Sequence, residues 1–477
     1  MNTHVKFRFE KFGPIDEAEL ELGNLTVIAG RNNTGKTYLV YALYGFFKEF
    51  RRLMVRTIDS PHLDGHIRRA TSSSSKDVAS KLTTEGSLDW KYERKEVNRL
   101  QSRLLKEMCS QYSSYGVPRV FNTSSNYFEK ASMELDFNTE LNVDQPIGFT
   151  LRGGTLSCSF DGSKFVLSME KESPDEEFEV DPDLIDRGIK LIFIHTLFGD
   201  LFSIGAWIHV LSSARLSISL FYKELDYARS RLVRSLQEVE DDQKGELQPL
   251  NELISRSSRY PLPIQDNIDS TRDIPEVVSE GLNEELLDAY ADLTDMIGGS
   301  LEVEDDDIRF VSRKDDSRPF DIPLHLASSS VGEMTNLYFY LGFTPPGEEN
   351  FLIIDEPESH LDTSNQIQFA RLLARLVNLG IRVLITTHSD YLIKELNNLI
   401  MLNSDFEDKE NVMTRLGYRE SLDAELVRAY VAEDNSLTPC KIDHFGIEMP
   451  VFDKTIDEIN KVSNELASRL VIELEED

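Results

Sequence analysis

Leu25-Thr-Val-Ile-Ala-Gly30-Arg-Asn-Asn-Thr-Gly35-Lys-Thr37 decides how the rest of this chain is read. Its first five residues are mostly apolar and unbroken, the pattern of a short buried strand. Gly30, Arg31, Asn32, Asn33, Thr34, Gly35, Lys36 and Thr37 then fit G-x-x-x-x-G-K-[ST]. Glycines let the backbone curl until successive N–H groups face one anion. A helix expected over 36–54 points its positive end at the same oxygens. Lys36 is placed to reach the β- and γ-phosphates of ATP, and Thr37 to offer a hydroxyl to Mg2+. A bare match to this spacing arises by chance; a match between a strand and a helix is specific.

Three further stretches complete the chemistry. Phe351-Leu-Ile-Ile-Asp-Glu-Pro-Glu358 reads as a buried strand tipped by two carboxylates. Asp355 is expected to orient Mg2+, and Glu356 to polarise the water that attacks the γ-phosphate. Thr386-Thr-His-Ser389 closes the next apolar strand, and His388 there can sense the γ-phosphate. Ala327-Ser-Ser-Ser-Val-Gly-Glu333 puts small hydroxyl residues before a helix expected over 331–340, another anion site. Ser328, Ser329, Ser330, Gly332 and Glu333 cannot crowd into the first loop, so they are expected to meet the nucleotide held by a second copy. His360-Leu-Asp362 should lie along the same subunit boundary, with Asp362 near the nucleotide.

Around these motifs the chain divides into six expected parts. Residues 1–56 form an N-terminal β-lobe with the glycine loop, opened by a hairpin over 5–22. Residues 57–132 form a basic helical insertion, with a charged helix over 88–109 and a loop over 71–86. Residues 133–183 carry strands and an acidic linker over 172–183. Residues 184–300 form a helical subdomain with one long helix over 214–239, an irregular proline-containing stretch over 257–275, and a helix over 276–298. Residues 301–404 complete the ATPase core, and 405–477 form a tail with an amphipathic helix. Strands alternating with helices predict an α/β fold with a parallel core sheet flanked by helices and chemistry at the strands' carboxyl ends.

The 477 residues carry a net charge of −33, with 28% charged residues. The charge is uneven. Lys48 to Arg119 holds fifteen basic and nine acidic residues, a balance of +6, which leaves −39 on the remainder. A solvated helical surface is one reading of that segment, and a nucleic-acid or partner contact the other. Three scattered cysteines suit a reducing, cytoplasmic setting without disulfides. The opening MNTHVKFRFEKFG predicts a strand in place of a signal peptide, and no apolar run is long enough to span a membrane.

With these residues in place the chain resembles the ABC ATPase superfamily, in the branch with SMC, RecF and OLD-type ATPases. By that resemblance Gly30–Thr37 match Walker A, Phe351–Glu356 Walker B, Ser328–Glu333 the signature loop, His360–Asp362 the D-loop and His388 the switch histidine. The likeness covers roughly 1–50 and 320–400. The form SSSVGE departs from the transporter signature LSGGQ and is similar to the PtuA ATPases of Septu and retron-linked anti-phage modules, as are Arg215 in LSSAR and the tail HFGIEMPVFDKTIDEINKVSNEL. The ATPases of PARIS systems share the design. No Q-loop glutamine is placed by the sequence.

The resemblance implies an ABC-type ATPase head that uses ATP and Mg2+, with Glu356, Lys36 and His388 catalytic. It implies a head-to-head dimer, a larger oligomer, and a separate nuclease effector of HNH (PtuB-like) type. In retron modules a reverse transcriptase with its RNA–DNA product joins the partners. Eighty-nine residues follow His388, too few for an OLD-type nuclease, so none is expected in this chain. A RecF-like ATPase acting directly on DNA, and an ATP-dependent scaffold with slow hydrolysis, are the other two readings.

Overall fold

The computed structural model describes residues 4–71, 78, 81–82, 85–91, 94–138, 143–151, 154–160, 164–171, 182–224, 260–279, 281–305, 307–313, 319–343, 350–449 and 459–467. The expected loop over 71–86, the linker over 172–183 and most of the long helix over 214–239 lie largely outside them; a helix over 215–224 is described.

A nine-stranded sheet organises the chain. Its strands are β1 (His4–Phe12), β2 (Ile15–Glu21), β3 (Leu25–Gly30), β5 (Ser132–Asn138), β9 (Trp207–Leu211), β13 (Asn350–Asp355), β14 (Arg382–Thr387), β15 (Val427–Glu433) and β16 (Ser436–Pro439), in the order β5-β1-β2-β16-β15-β3-β14-β13-β9. From β15 to β9 every pairing is parallel. β1 with β2, and β1 with β5, are antiparallel. The fold is thus α/β, a parallel core continued by an antiparallel lobe.

Alternation along the core strands shows why the sheet is buried on both sides. Phe351 and Ile353 pack on one face with the helix Lys36–Thr57, Phe47 meeting Phe351 edge-on at 5.7 Å. Leu352 and Ile354 face the other side with the helices Ser329–Phe343, Thr363–Asn378 and Asp390–Met401. Each of these four side chains is at most 1% exposed. Burial at that level is worth about 1.5–3 kcal/mol per side chain.

Several boundaries differ from the sequence expectation. The segment 427–439 belongs to no tail: β15 lies between β3 and β16, at the join of the two lobes. β5 completes the N-terminal lobe, while β4 (Ser87–Lys91) reaches across to β8 (Lys164–Lys171) in a separate sheet with β6 (Val143–Leu151) and β7 (Gly154–Phe160), and β10 (Gly299–Glu304), β11 (Asp307–Ser312) and β12 (Asp321–Pro323) form a third. The helix expected over 88–109 therefore begins only at Arg94. Prolines 261 and 263 start a helix, Leu262–Arg272, instead of leaving the chain irregular. Proline's fixed φ and missing N–H cost nothing in a first turn, so the same residues that break a helix interior can open one. Of the amphipathic tail helix, Asn460 to Ala467 and Ile459 are helical and exposed, and Gly446–Ile447 is a strand. Among the described residues no helix is long and apolar enough to cross a membrane.

Candidate functional site

The parallel register brings the expected residues to one edge of the sheet. Ala432 pairs with Gly30, Thr387 with Ala29, Asp355 with Thr386 and Ile354 with Leu211. Four turns consequently emerge side by side, after β3, β14, β13 and β9.

The turn after β3 is held open by its glycines. Gly30 has φ 153°, and a Cβ there would lie 2.5 Å from the Ala432 carbonyl oxygen of β15. Gly35 has φ 90°. With Asn33 also left-handed, the chain curls back on itself. Lys36 is 5% exposed, and its Nζ donates to the carbonyls of Gly30 (3.0 Å) and Arg31 (2.8 Å). Burial lowers its pKa, opposed by Glu356, Asp355 and Glu358. Thr34 donates its hydroxyl to the Arg31 carbonyl at 2.9 Å, and Arg31, Asn32 and Asn33 are exposed.

Thr37 sits against the turn after β13. Its hydroxyl donates to the Asp355 carboxylate at 3.1 and 3.3 Å, and the Thr386 hydroxyl to the same group at 2.6 Å. Asp355 is fully buried. An all-oxygen pair of hydroxyl and carboxylate suits a hard cation such as Mg2+. Glu356 adopts φ 53°, a left-handed conformation uncommon outside glycine. Its N–H donates to the Thr386 carbonyl (3.2 Å) and hydroxyl (3.0 Å), which hold the strained turn in place. Burial raises the Glu356 pKa, and Asp355 adds to the rise.

Glu358 organises the turn after β14. One oxygen accepts from the Thr387 hydroxyl at 2.8 Å and the His388 N–H at 2.6 Å, and lies 3.1 Å from His388 Nδ1. Glu358 is buried while the His388 side chain is 45% exposed, so the ring lies with Nδ1 against the carboxylate and much of its surface in solvent. Ser389 caps the next helix and donates to Gln366 at 2.6 Å. Gln366 donates in turn to the Leu361 carbonyl, tying the His360–Asp362 turn to the histidine turn. Asp362 caps its own helix through the N–H groups of Ser364 and Asn365.

At the signature stretch Ser328 and Ser329 are exposed and Ser330 partly so. Ser328 Oγ accepts from the Val331 N–H at 3.4 Å and pairs with Ser330 Oγ at 2.9 Å. Gly332 and Glu333 turn inward. A Cβ on Gly332 would lie 2.7 Å from Leu216, and Glu333 is 1% exposed against Arg215. The sequence expectation has Gly332 and Glu333 meet a second copy's nucleotide with the serines; both are buried, and Glu333 faces the protein's own interior.

Residues 218–393 match the AAA ATPase domain family. That span contains the serine turn, Asp355, Glu356 and His388 and begins after the glycine loop. No curated relative matches the sequence. Among solved structures the chain is similar to the SMC head domain from Thermotoga maritima (13% identity, 92% of this chain and 99% of that one, TM-score 0.30). It is also similar to an Smc head domain with an extended coiled coil bound to the C-terminal domain of ScpA, derived from Pyrococcus furiosus (14%, 97% and 100%, 0.33). Both likenesses are general in kind, and the fold assignment stands on the strand pairing above.

Geometry thus brings Lys36, Thr37, Asp355, Glu356 and His388 together and leaves Ser328–Ser330 on the surface. Sequence reasoning missed two members of the site. Glu358 has no role in the motif reading; its signal is a third carboxylate, three residues past Asp355. Arg215 was noted only for its resemblance.

Proposed function

We propose that this chain is the ATP-binding and ATP-hydrolysing subunit of an ABC-class assembly in which two copies close around two Mg-ATP molecules. One observation carries the reading: the glycine loop with its buried lysine shares an edge with Asp355, Glu356 and His388, while a serine-capped helix N-terminus stays exposed. Thr37 and Asp355 would hold Mg2+, which supplies charge neutralisation at the β- and γ-phosphates. The loop N–H groups and Lys36 bind and orient the phosphates. Glu356 takes a proton from the attacking water, its left-handed turn setting the carboxylate's direction. His388, anchored by Glu358 through Nδ1, presents its other nitrogen to the γ-phosphate. The exposed serines of one copy complete the site of the other.

The test is direct. Lys36→Ala should lose ATP binding. Glu356→Gln should bind Mg-ATP and shift from monomer to dimer in light scattering, because binding contacts persist while the water is no longer activated. Adding Ser329→Arg to Glu356→Gln should abolish the dimer and spare ATP binding. A Glu356→Gln chain that stays monomeric in Mg-ATP would overturn the shared site.

The finer reading is a defence ATPase that gates a separate HNH-type nuclease, in some modules with a reverse transcriptase and its RNA–DNA product. It is supported by the likeness of SSSVGE, LSSAR and the tail to such proteins. Co-purification with the product of the neighbouring reading frame tests it; recovery of free ATPase alone counts against it.

A second reading, direct contact with DNA, is favoured by one observation. On the helix Arg94–Gln111, Lys95, Arg99, Arg103 and Lys106 are exposed at helical spacing along one side of a chain that is otherwise strongly acidic. Binding that weakens steeply with salt would support it.

A further inference from the structure

The turn after β9 carries a side chain that joins two functional elements. Arg215 is fully buried. Its Nη1 donates to the carbonyls of Asp355 at 2.6 Å and Ser212 at 3.1 Å. Its Nη2 donates to the Glu356 carbonyl at 2.8 Å and lies 2.7 Å from Glu333 Oε1. One guanidinium therefore grips the backbone of both residues assigned to metal and water, and with Nη2 also pairs with Glu333 at the start of the second turn of the signature helix. The packing is close as well, since Leu216 touches the helix at Gly332 without room for a Cβ.

Resting on the shared-site reading above, we infer that Arg215 is a positioning residue that couples the two nucleotide sites of the dimer. The signature helix of a protomer serves its neighbour's nucleotide, whereas the Asp355–Glu356 turn serves its own. Arg215 links the two within one protomer. When the exposed serines engage the neighbour's γ-phosphate, any shift or rotation of the helix moves Glu333. Contacts of 2.7–2.8 Å at a fully buried group do not stretch, so the displacement passes to the carbonyls of Asp355 and Glu356. Glu356 sits in a left-handed turn fixed through its N–H by Thr386 and through its carbonyl by Arg215, so a shift of that carbonyl redirects its carboxylate. Closure at one site thereby sets the water-activating geometry at the other. A planar fork suits this role and an ammonium does not, because four oxygens, three carbonyls and one carboxylate, must be met at once and an ammonium carries only three donors.

The test uses the full-length dimer-forming chain. Glu333→Gln keeps the side chain's size and an acceptor oxygen while removing the charge that Arg215 grips. In this variant kcat should fall about tenfold, within the range of a typical coupling free energy. ATP binding at the glycine loop, measured with a fluorescent ATP analogue, should change less than about threefold, since no ligand contact of that loop is altered. Coupled sites predict cooperative turnover in ATP for the parent, and Glu333→Gln should lower that cooperativity measured side by side. Arg215→Lys should reproduce the kcat loss. A Glu333→Gln protein with a lowered melting temperature but parental kcat and cooperativity would reduce the contact to a structural tie and overturn the inference. Dimerisation of Glu333→Gln/Glu356→Gln in Mg-ATP separates the two levels. A double variant that still dimerises, beside lowered and uncoupled turnover in the Glu333→Gln single variant, supports the inference, and a Glu356→Gln chain that never dimerises fails the shared site beneath it.

Discussion

Two donors and the His388 Nδ1 converge on a single oxygen of Glu358, and that arrangement gives the carboxylate a role the motif alone does not reveal. A histidine on a turn has two tautomers and a freely rotating ring; an acceptor at Nδ1 selects one tautomer and one orientation. Glu358→Gln keeps an oxygen for Thr387 and the His388 N–H but loses the charge that fixes the ring. ATP affinity should stay within about threefold while kcat falls by about tenfold, the size of losing one oriented hydrogen-bonding group. Steady-state kinetics alongside binding of a fluorescent ATP analogue checks the split. His209 on β9 gives a second prediction. It stacks on Tyr340 at 4.8 Å, its Nε2 has no hydrogen-bond partner among the described residues, and burial, with Lys48 adding to it, lowers its pKa to about 4. An unfolded histidine titrates near 6.5, so between these values the unfolded chain binds more protons. Its contribution is whole above pH of about 6.5 and is lost as pH falls toward about 4, at most roughly 3 kcal/mol. His209→Phe should flatten that part of the stability–pH curve relative to the parent in urea titrations at pH about 5 and about 7.5.

At the scale of elements, the helix Lys36–Thr57 shows two opposed effects at one position. Gly45 lies mid-helix, where alanine would gain about 1 kcal/mol of helix propensity. Its missing Cβ, however, leaves room for Val120 and for Tyr112, which would stand 2.3 and 2.6 Å from the added carbon. The Tyr112 hydroxyl is itself fixed at 2.5 Å on the Ala42 carbonyl. Overpacking costs about 1–3 kcal/mol, so Gly45→Ala should lower the urea midpoint. Gly65→Ala, in a helix with nothing within 4 Å of the new carbon, should raise it. This scale also explains what the sequence could disclose. β3, β13 and β14 were legible because each is a short apolar run ending in a chemical motif. β9 was not: Trp207–Leu211 follows directly on the apolar helix Pro182–Ala206, with only Gly205-Ala206 as punctuation. β15 was hidden for another reason. VRAYVAE fits helix or strand locally, and the partner that decides it, β3, lies some four hundred residues away in the chain. The glycine loop, the carboxylates and the histidine could be read from spacing. Glu333 and Arg215 could not, because their pairing is set by two elements packing and leaves no mark of spacing.

For the molecule as a whole, net charge sets the sign of a salt effect. Each chain carries −33, and closing two of them face to face brings like charge together. Bound nucleotides add further negative charge to the buried seam. At about 20 mM salt the Debye length exceeds 20 Å and this repulsion acts across the interface; at about 200 mM it falls below 10 Å. The contacts that favour closure, serine hydroxyls and backbone N–H groups on a γ-phosphate, are short-ranged and hardly screened. The dimer of Glu356→Gln in Mg-ATP should therefore tighten as sodium chloride rises over that range, by severalfold in the dissociation constant measured by analytical ultracentrifugation. DNA binding through Lys95, Arg99, Arg103 and Lys106 would move the other way, weakening with salt as counterions compete. The two readings of the chain are thereby separated by the direction of one titration. A dimer that loosens steeply with salt would mean that closure depends on charge pairs between the subunits, a mechanism with no place for the neutral serine turn at its centre.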